Sequence, residues 1–215
     1  MTSGAPHPCR IIATDADVAE GAAWLAASDT RLGAALAAVG PLDLRRRGDG
    51  YGALMAAIVS QQVSVASARA ILSRCEAAGL GDPAVAAAAS DEAMRLCGLS
   101  RQKARYLRAL AGAGIDYDAL RAAPTEEVVA TLVAVPGIGR WTAEMYAMFA
   151  LGHADVFAPA DLALQEGARM ALGLAERPRE RALREIAAAW SPWRSVAARL
   201  LWSYYAHAKR REATL

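Results

Sequence analysis

The chain has 215 residues, of which 55% are hydrophobic and only 6% aromatic, enough for one large domain or two closely packed lobes with a buried core. Alanine is abundant beside leucine, arginine and glutamate, and these side chains lose little freedom in a helix, so we expect an all-α protein. Lysine and arginine number 24 against 22 aspartate and glutamate residues. Net charge alone therefore does not indicate a nucleic-acid binder, and any contact with DNA must come from a local arrangement of residues.

The three cysteines, Cys9, Cys75 and Cys97, are widely spaced and form no CxxC motif. This pattern supports neither a disulfide framework nor a four-cysteine zinc or iron–sulfur site, and it fits a reducing cytoplasm best. The N-terminus lacks a basic region followed by an apolar core, and no uninterrupted apolar run reaches about 18 residues. We expect a soluble protein that is not exported.

The predicted elements are helices throughout. Apolar spacing predicts a helix over residues 15–25, a second short helix after Ser28 and, beyond the glycine- and arginine-rich residues 45–52, a buried central helix over residues 53–78. The polar cluster Ser60-Gln61-Gln62 interrupts the apolar face of that helix, where a break or an exposed turn would fit. Its predicted core residues are Ile58, Val59, Val63, Val65 and Ile71.

Two of the next helices begin at serines. Ser90 and Ser100 are plausible N-caps, and Ser100 is followed by a basic cluster that indicates either a solvated face or a DNA-binding patch. This cluster contains Arg101, Lys103, Arg105 and Arg108.

The second half of the chain contains a helix, a glycine hairpin and another helix. The first helix begins at Pro124-Thr125 and runs to Val133, the hairpin occupies residues 135–139, and helical spacing resumes over residues 140–151. A loop then leads to Asp161 and a helix over residues 162–172. Residues 179–211 predict two further helices broken at Ser191-Pro192.

The hairpin Pro136-Gly137-Ile138-Gly139 can turn sharply and present backbone N–H groups to an anion such as a DNA phosphate. A dinucleotide fingerprint would need glycine or alanine at Thr142, and a phosphate-binding P-loop would need Gly-Lys-Ser/Thr, so neither motif is present. From the hairpin alone, a turn whose glycines serve close helix packing remains an equal alternative.

A resemblance decides between them. The segment Leu132-Val-Ala-Val-Pro-Gly-Ile-Gly-Arg-Trp-Thr-Ala143, followed by Asp155-Val-Phe-Ala-Pro-Ala-Asp161, resembles the hairpin and catalytic-aspartate signature of the helix-hairpin-helix (HhH-GPD) DNA glycosylase superfamily. Within it, the chain is most similar to the 3-methyladenine DNA glycosylase II (AlkA) type. Ile58-Val-Ser-Gln-Gln-Val-Ser-Val65 and Pro192-Trp-Arg-Ser-Val-Ala-Ala-Arg-Leu-Leu-Trp202 resemble further family segments, so the likeness spans about residues 50–205.

The resemblance implies two helical lobes with the hairpin and an active site in the cleft between them, in a compact form without the N-terminal sheet lobe of the AlkA type. We expect three segments: residues 1–50, an N-terminal helical segment packing on the second lobe; residues 51–135, the central lobe; and residues 136–215, with the hairpin, the catalytic loop and the C-terminal helices.

The resemblance assigns Asp161 as the catalytic carboxylate, which would stabilise an oxocarbenium-like sugar or orient water; taken alone, Asp161 would be an ordinary N-cap. Trp141 stands where lyase-competent members carry a Schiff-base lysine, which predicts a monofunctional hydrolase. Trp141, Met145 and Trp202 are the predicted substrate pocket, where an electron-rich ring would stack on a cationic alkylated base. Trp24, Trp190 and Trp193 are expected to be structural.

The implied DNA contacts lie at the hairpin and in the interrupted helix. Gln62 occupies the position of the side chain that wedges into the gap left by a flipped nucleotide, or else it is an ordinary polar helix residue. Backbone N–H groups around Gly137, Gly139, Arg140 and Thr142 would bind a phosphate. The carbonyl groups of Val133, Val135 and Ile138 match positions that hold a structural Na⁺ or K⁺ in family members. No redox or organic cofactor is expected.

The sequence therefore predicts a monomeric, cytoplasmic DNA-repair glycosylase that removes 3-methyladenine or 7-methylguanine from duplex DNA. Three alternatives remain: a noncatalytic helix-hairpin-helix module that only binds the DNA backbone, a small-molecule nucleotide enzyme that uses the glycine turn, and a glycosylase for a different lesion.

Overall fold

The protein is all-α, as predicted, in a computed structural model that describes residues 9–212. Within that range the only β-type pairing is an isolated antiparallel bridge between Ile11 and His153, and no helix is both long and apolar enough to cross a membrane. The α-helices are α1 (Asp15–Ser28), α2 (Thr30–Val39), α3 (Tyr51–Ser60), α4 (Val65–Ala77), α5 (Pro83–Ala88), α6 (Asp91–Leu96), α7 (Arg101–Ala111), α8 (Tyr117–Ala122), α9 (Thr125–Val133), α10 (Arg140–Tyr146), α11 (Leu162–Leu172), α12 (Glu180–Ala187) and α13 (Arg194–Glu212).

The chain divides into two compact units. The terminal unit contains Met1–Arg46 and Ala147–Leu215, and the central unit is Arg47–Tyr146. This differs from the three predicted segments, because the hairpin groups with the central unit, where α9 and α10 pack on each other and α10 also contacts α3. The N-terminal helices and the C-terminal helices form one unit, because α1 and α2 both pack on α13.

In the terminal unit, α13 packs against α1, α2 and α11. Two glycines allow close approach: a Cβ at Gly167 would lie 2.5 Å from the Leu201 carbonyl oxygen, and one at Gly21 would lie 2.6 Å from the Trp193 ring. Trp190 and Trp193 are buried, as expected of structural residues, whereas Trp24 is partly exposed. The core of this unit is therefore built around α13.

In the central unit, α7 packs against α3, α5 and α6. Ser90 and Ser100 accept hydrogen bonds from the amides of Ala93 and Lys103, which confirms both predicted N-caps. The predicted central helix over residues 53–78 is two helices, α3 and α4. The chain leaves α3 after Ser60, within the polar cluster where the sequence indicated a break or an exposed turn.

That break changes which residues are buried. Ile58, Val59 and Ile71 belong to the core as predicted, but Val63 is 38% exposed and Val65 is 79% exposed. Both were predicted to be buried from a helical period that the chain does not keep through residues 61–64. The break thus leaves two large apolar side chains at the surface beside Gln62.

The predicted helix over residues 140–151 has two parts, α10 and a π-helical turn over Ala147–Leu151. All five residues of the turn are buried. The π-helical turn begins at Ala147, where the chain passes from the central unit to the terminal unit. Inserted π-turns of this kind are frequent at functional sites.

Candidate functional site

The hairpin of the central unit is a tight turn between α9 and α10. The Val135 N–H donates to the Leu132 carbonyl and the Ile138 N–H to the Val135 carbonyl, each at 3.1 Å. The Ala143 N–H then donates to the Gly139 carbonyl at 3.0 Å. The amides of Arg140 and Thr142 precede this bond, in the turn where helical N–H groups have no acceptor within their own helix. The turn can therefore offer several N–H groups to one anion.

Gly137 is the residue that the turn requires. Its φ is +95°, a left-handed value that disfavours any side chain, and a Cβ there would lie 2.3 Å from the Tyr106 ring. Gly139 differs, because a Cβ there would meet nothing within 4 Å. The backbone conformation of the turn requires Gly137, whereas Gly139 leaves the surface of the turn without a side chain.

The side chains beside the hairpin have different environments. Trp141 is 43% exposed, Met145 is half-buried and Thr142 is buried. The Arg140 side chain lies against two carboxylates: its Nε donates to the buried Glu144 at 3.0 Å, and its Nη2 lies 3.7 Å from Glu126. In this structure Arg140 thus offers an anion its backbone amide rather than its guanidinium.

The three predicted cation-binding carbonyls lie at the end of α9 and in the turn. Val133 is the last residue of α9, where helix carbonyls lack partners within the helix and the dipole favours a cation. The Val135 carbonyl accepts the Ile138 amide, which leaves its oxygen a second lone pair. Neutral carbonyl oxygens of this kind fit a monovalent cation, so the residues present are compatible with the predicted site.

The loop over residues 61–64, between α3 and α4, lies next to the hairpin. Gln62 is exposed and has a left-handed φ of +55°, which is uncommon for a residue with a side chain. The Gln61 side chain donates from Nε2 to the Gly137 carbonyl oxygen at 2.9 Å. A cavity of about 620 Å³ lies between this loop and the hairpin, with Lys103 also in its wall.

In the terminal unit, Asp161 and Trp202 lie together. Asp161 is the N-cap of α11, where its Oδ1 accepts the Leu164 amide at 3.0 Å. The same oxygen accepts the indole N–H of Trp202 at 3.1 Å. Two donors from different helices therefore fix the orientation of the half-buried carboxylate.

Trp202 is in turn held by the π-helical turn. The Trp202 ring packs on the Phe149 ring, with their centroids 5.7 Å apart. The guanidinium of Arg199 lies 4.9 Å from the centroid of the Phe149 ring. Arg199 is 1% exposed, and burial, followed by nearby Arg45 and Arg46, lowers its pKa to about 10. A fixed carboxylate beside an indole, supported by this stack, is suited to stabilising positive charge on a reacting group.

A family model described as the HhH-GPD superfamily of base excision DNA repair proteins matches residues 55–192, more than half of the chain. The chain belongs to the HhH-GPD superfamily. A relative from Schizosaccharomyces pombe named DNA-3-methyladenine glycosylase 1 is 30% identical over 161 residues, covering 71% of each protein.

Solved structures agree with the HhH-GPD assignment. A DNA-3-methyladenine glycosidase from Bacillus halodurans superposes with a TM-score of 0.78 at 34% identity, over 87% of this chain and 89% of that one. A 3-methyladenine DNA glycosylase from Schizosaccharomyces pombe, in complex with abasic DNA, superposes with a TM-score of 0.74 at 28% identity, over 85% of this chain and 95% of that one.

The sequence did not predict the contacts that three residues of this HhH-GPD chain make near the hairpin. Tyr106 packs on Gly137, Gln61 binds the hairpin carbonyl, and the Lys103 ammonium donates to the Val59 carbonyl at 2.6 Å. Burial lowers the pKa of Lys103. The basic cluster is thus not uniformly solvated, since Arg108 also donates to a carbonyl, that of Ala89. The polar Gln61 in an apolar segment was the one available signal.

Proposed function

We propose that this protein is a monofunctional DNA glycosylase that hydrolyses the N-glycosidic bond of alkylated purines flipped out of duplex DNA, such as 3-methyladenine and 7-methylguanine. One observation carries the proposal: Asp161, in a chain of the HhH-GPD superfamily, caps α11 and accepts the Trp202 indole N–H on the same oxygen. An ordinary N-cap needs only the first of these bonds.

The chemistry follows from that carboxylate. Cleavage of an N-glycosidic bond leaves positive charge on the sugar, and a carboxylate held in place stabilises this charge without having to reorient. Asp161 would supply this stabilisation, and the Leu164 amide and the Trp202 indole hold one of its oxygens in place. Water then takes the place of the departing base, leaving an intact abasic site.

The hairpin would bind the DNA backbone. Phosphate contacts position a protein on DNA, and backbone N–H groups are common donors for them. The amides of Gly137, Gly139, Arg140 and Thr142 would make these contacts, with Gln62 entering the space left by the flipped nucleotide. A Na⁺ or K⁺ held by the carbonyls of the hairpin would add positive charge near the phosphate, and no redox or organic cofactor is required.

The aromatic residues would select the base. An alkylated purine carries positive charge, which stacks favourably on an electron-rich indole, and it leaves readily with little acid catalysis. Trp141, Met145 and Trp202 would form this pocket. Because Trp141 stands where a Schiff-base lysine would be needed, we expect no lyase step. The partner is duplex DNA with a damaged base, bound by a monomer in the cytoplasm.

The test is release of free base from methylated duplex DNA by the wild type and by Asp161→Asn. Asparagine is also a good N-cap, so the variant keeps the bond to the Leu164 amide while losing the negative charge. We expect release to fall by roughly 100-fold or more. Strand breaks from the wild-type product should appear only after alkali treatment.

Trp202→Phe is the matched second variant. Phenylalanine keeps an aromatic ring against Phe149 but lacks the indole N–H, so we expect a smaller loss, about tenfold. Equal base release by the wild type and Asp161→Asn would exclude this mechanism. DNA binding without release of any base would instead support the noncatalytic DNA-binding module.

A further inference from the structure

The loop over residues 61–64 is held at both ends. At its start, the backbone N–H of Gln61 donates to the Ile58 carbonyl at 3.3 Å, and the Lys103 ammonium donates to the Val59 carbonyl. At its end, Ser64 caps α4 by accepting the Ser67 amide at 3.1 Å. The loop is therefore anchored at Gln61 and at Ser64, and the two residues between them, Gln62 and Val63, are exposed.

The Gln61 side chain adds a long-range bond. Its Nε2 donates at 2.9 Å to the carbonyl oxygen of Gly137, 76 residues further along the chain. Gly137 has a φ of +95° and passes so close to Tyr106 that a Cβ there would lie 2.3 Å from the ring. The side-chain amide of Gln61 thus attaches the end of α3 to the glycine that the hairpin turn requires.

The bond has a consequence for the next residue. Gln62 has a left-handed φ of +55°, which is unfavourable for a residue with a side chain and persists only where neighbouring structure enforces it. Gln61 on one side and the Ser64 cap on the other enforce it. The Gln62 side chain and its exposed neighbour Val63 both border the same cavity as Gly137 and Gly139.

We infer that Gln61 is a positioning residue that couples Gln62 to the phosphate-binding hairpin, so that DNA backbone binding and side-chain insertion use one preformed surface. The inference rests on the proposed function. Without the bond, the hairpin would still bind the DNA backbone, but Gln62 would have to be ordered at the moment of insertion. That ordering costs conformational entropy. Glutamine suits the position because its amide donates, whereas a carboxylate or an apolar side chain cannot.

The experiment is a double-mutant cycle between Gln61→Met and Gln62→Ala. The probes are two labelled duplexes of one sequence, undamaged or with a central tetrahydrofuran abasic analogue. In the wild type, we expect Gln62→Ala to weaken binding of the analogue about tenfold; in the Gln61→Met background, the same change should cost less than about twofold. Binding of the undamaged duplex should change by less than about twofold in every variant, because the hairpin donors remain.

The matched control is Gln102→Met. Gln102 lines the same cavity, but its Nε2 donates to the Tyr106 hydroxyl at 2.8 Å and not to the hairpin. In that background Gln62→Ala should still cost about tenfold. Gln61→Glu is a second way to remove the donor, with Gln102→Glu as its charge control, and melting temperatures establish that each variant is folded.

The outcomes separate the two ideas. If the wild type binds both duplexes equally, the proposed function fails and this inference with it. If the wild type prefers the analogue, but Gln62→Ala costs the same with and without Gln61, the coupling is refuted while the glycosylase proposal stands. The same holds if Gln62→Ala costs nothing in the wild type.

Discussion

The hairpin and the Asp161 site, which contains Asp161, Trp202, Phe149 and Arg199, are stabilised in different ways. The hairpin is a local structure, in which residues 132–143 make the backbone hydrogen bonds of the turn among themselves. The Asp161 site depends on distant residues: the Trp202 donor is 41 positions away, and Arg199, which lies over Phe149, is bonded to the Leu44 carbonyl 155 positions away. The first is exposed where a phosphate can reach it, whereas the second rests on a buried charge.

This difference shows where each unit is vulnerable. Arg199 donates to the carbonyls of Leu44 and Ser195, and Arg46 donates to those of Ile12 and Leu151. Among the described residues, Arg199 makes its hydrogen bonds with main-chain oxygens. Buried charge satisfied by carbonyls is costly to disturb, because removal of the donor leaves polar oxygens away from water. The hairpin depends instead on a single backbone conformation.

Arg199→Ala should have the largest effect. It removes the buried stem, opens a cavity beneath Phe149 and takes the donors from Leu44, so we expect the free energy of unfolding to fall by about 4 kcal/mol. Urea denaturation measures the loss, and hydrogen exchange should place it in the terminal unit.

The control is Arg194→Ala on the same helix. Arg194 pairs with Asp155 at 2.6 Å at the edge of the unit, so this variant should lose less than about 1 kcal/mol. Equal losses in the two variants would mean that burial of Arg199 does not support the site, and the contrast between the two regions would be lost.

Gly137→Ala tests the local side of the comparison. Alanine would need a left-handed φ and would overlap the base of the Tyr106 ring, for an expected loss of about 3 kcal/mol. Gly139→Ala is the matched control, since a Cβ there meets nothing within 4 Å, and it should change stability by less than about 0.5 kcal/mol. Thermal and urea unfolding of both variants give the comparison. Similar losses would show that the turn tolerates a side chain at either glycine.

The same contrast explains how far the sequence could predict the molecule. The all-α fold, the caps at Ser90 and Ser100 and the helix starting after Asp161 were predicted correctly, because each depends on residues within a few positions. The exposure of Val63 and Val65 was not, because the apolar period was continued past the polar cluster at which the helix breaks.

Long-range partners were the other limit. Glutamine at position 61 was visible as a polar residue in an apolar segment, but its acceptor lies 76 residues away. Arg199 resembled any arginine on an amphipathic helix, and its burial follows from the packing of α13 on three other helices. Pairings of this kind are set by tertiary structure, not by spacing along the chain.

The buried His153 should make the stability of the terminal unit depend on pH. No histidine occurs in the central unit, whereas His153 is fully buried in the terminal unit. Burial, with a smaller contribution from Arg46, lowers the pKa of its imidazole from 6.5 to about 4. The unfolded chain therefore binds a proton between these values that the folded protein does not. This contribution to stability is complete above pH 6.5 and is lost as pH falls toward 4.

We expect the free energy of unfolding to fall by about 2 kcal/mol between pH 7.5 and pH 5 because of this group. In His153→Gln, which cannot titrate, that part of the decrease should disappear. Urea denaturation of both proteins at the two pH values measures it, and hydrogen exchange should place the loss of protection in the terminal unit. If both proteins lose the same stability, or if the central unit is the one that opens, the burial of His153 is not the cause of the loss at acid pH.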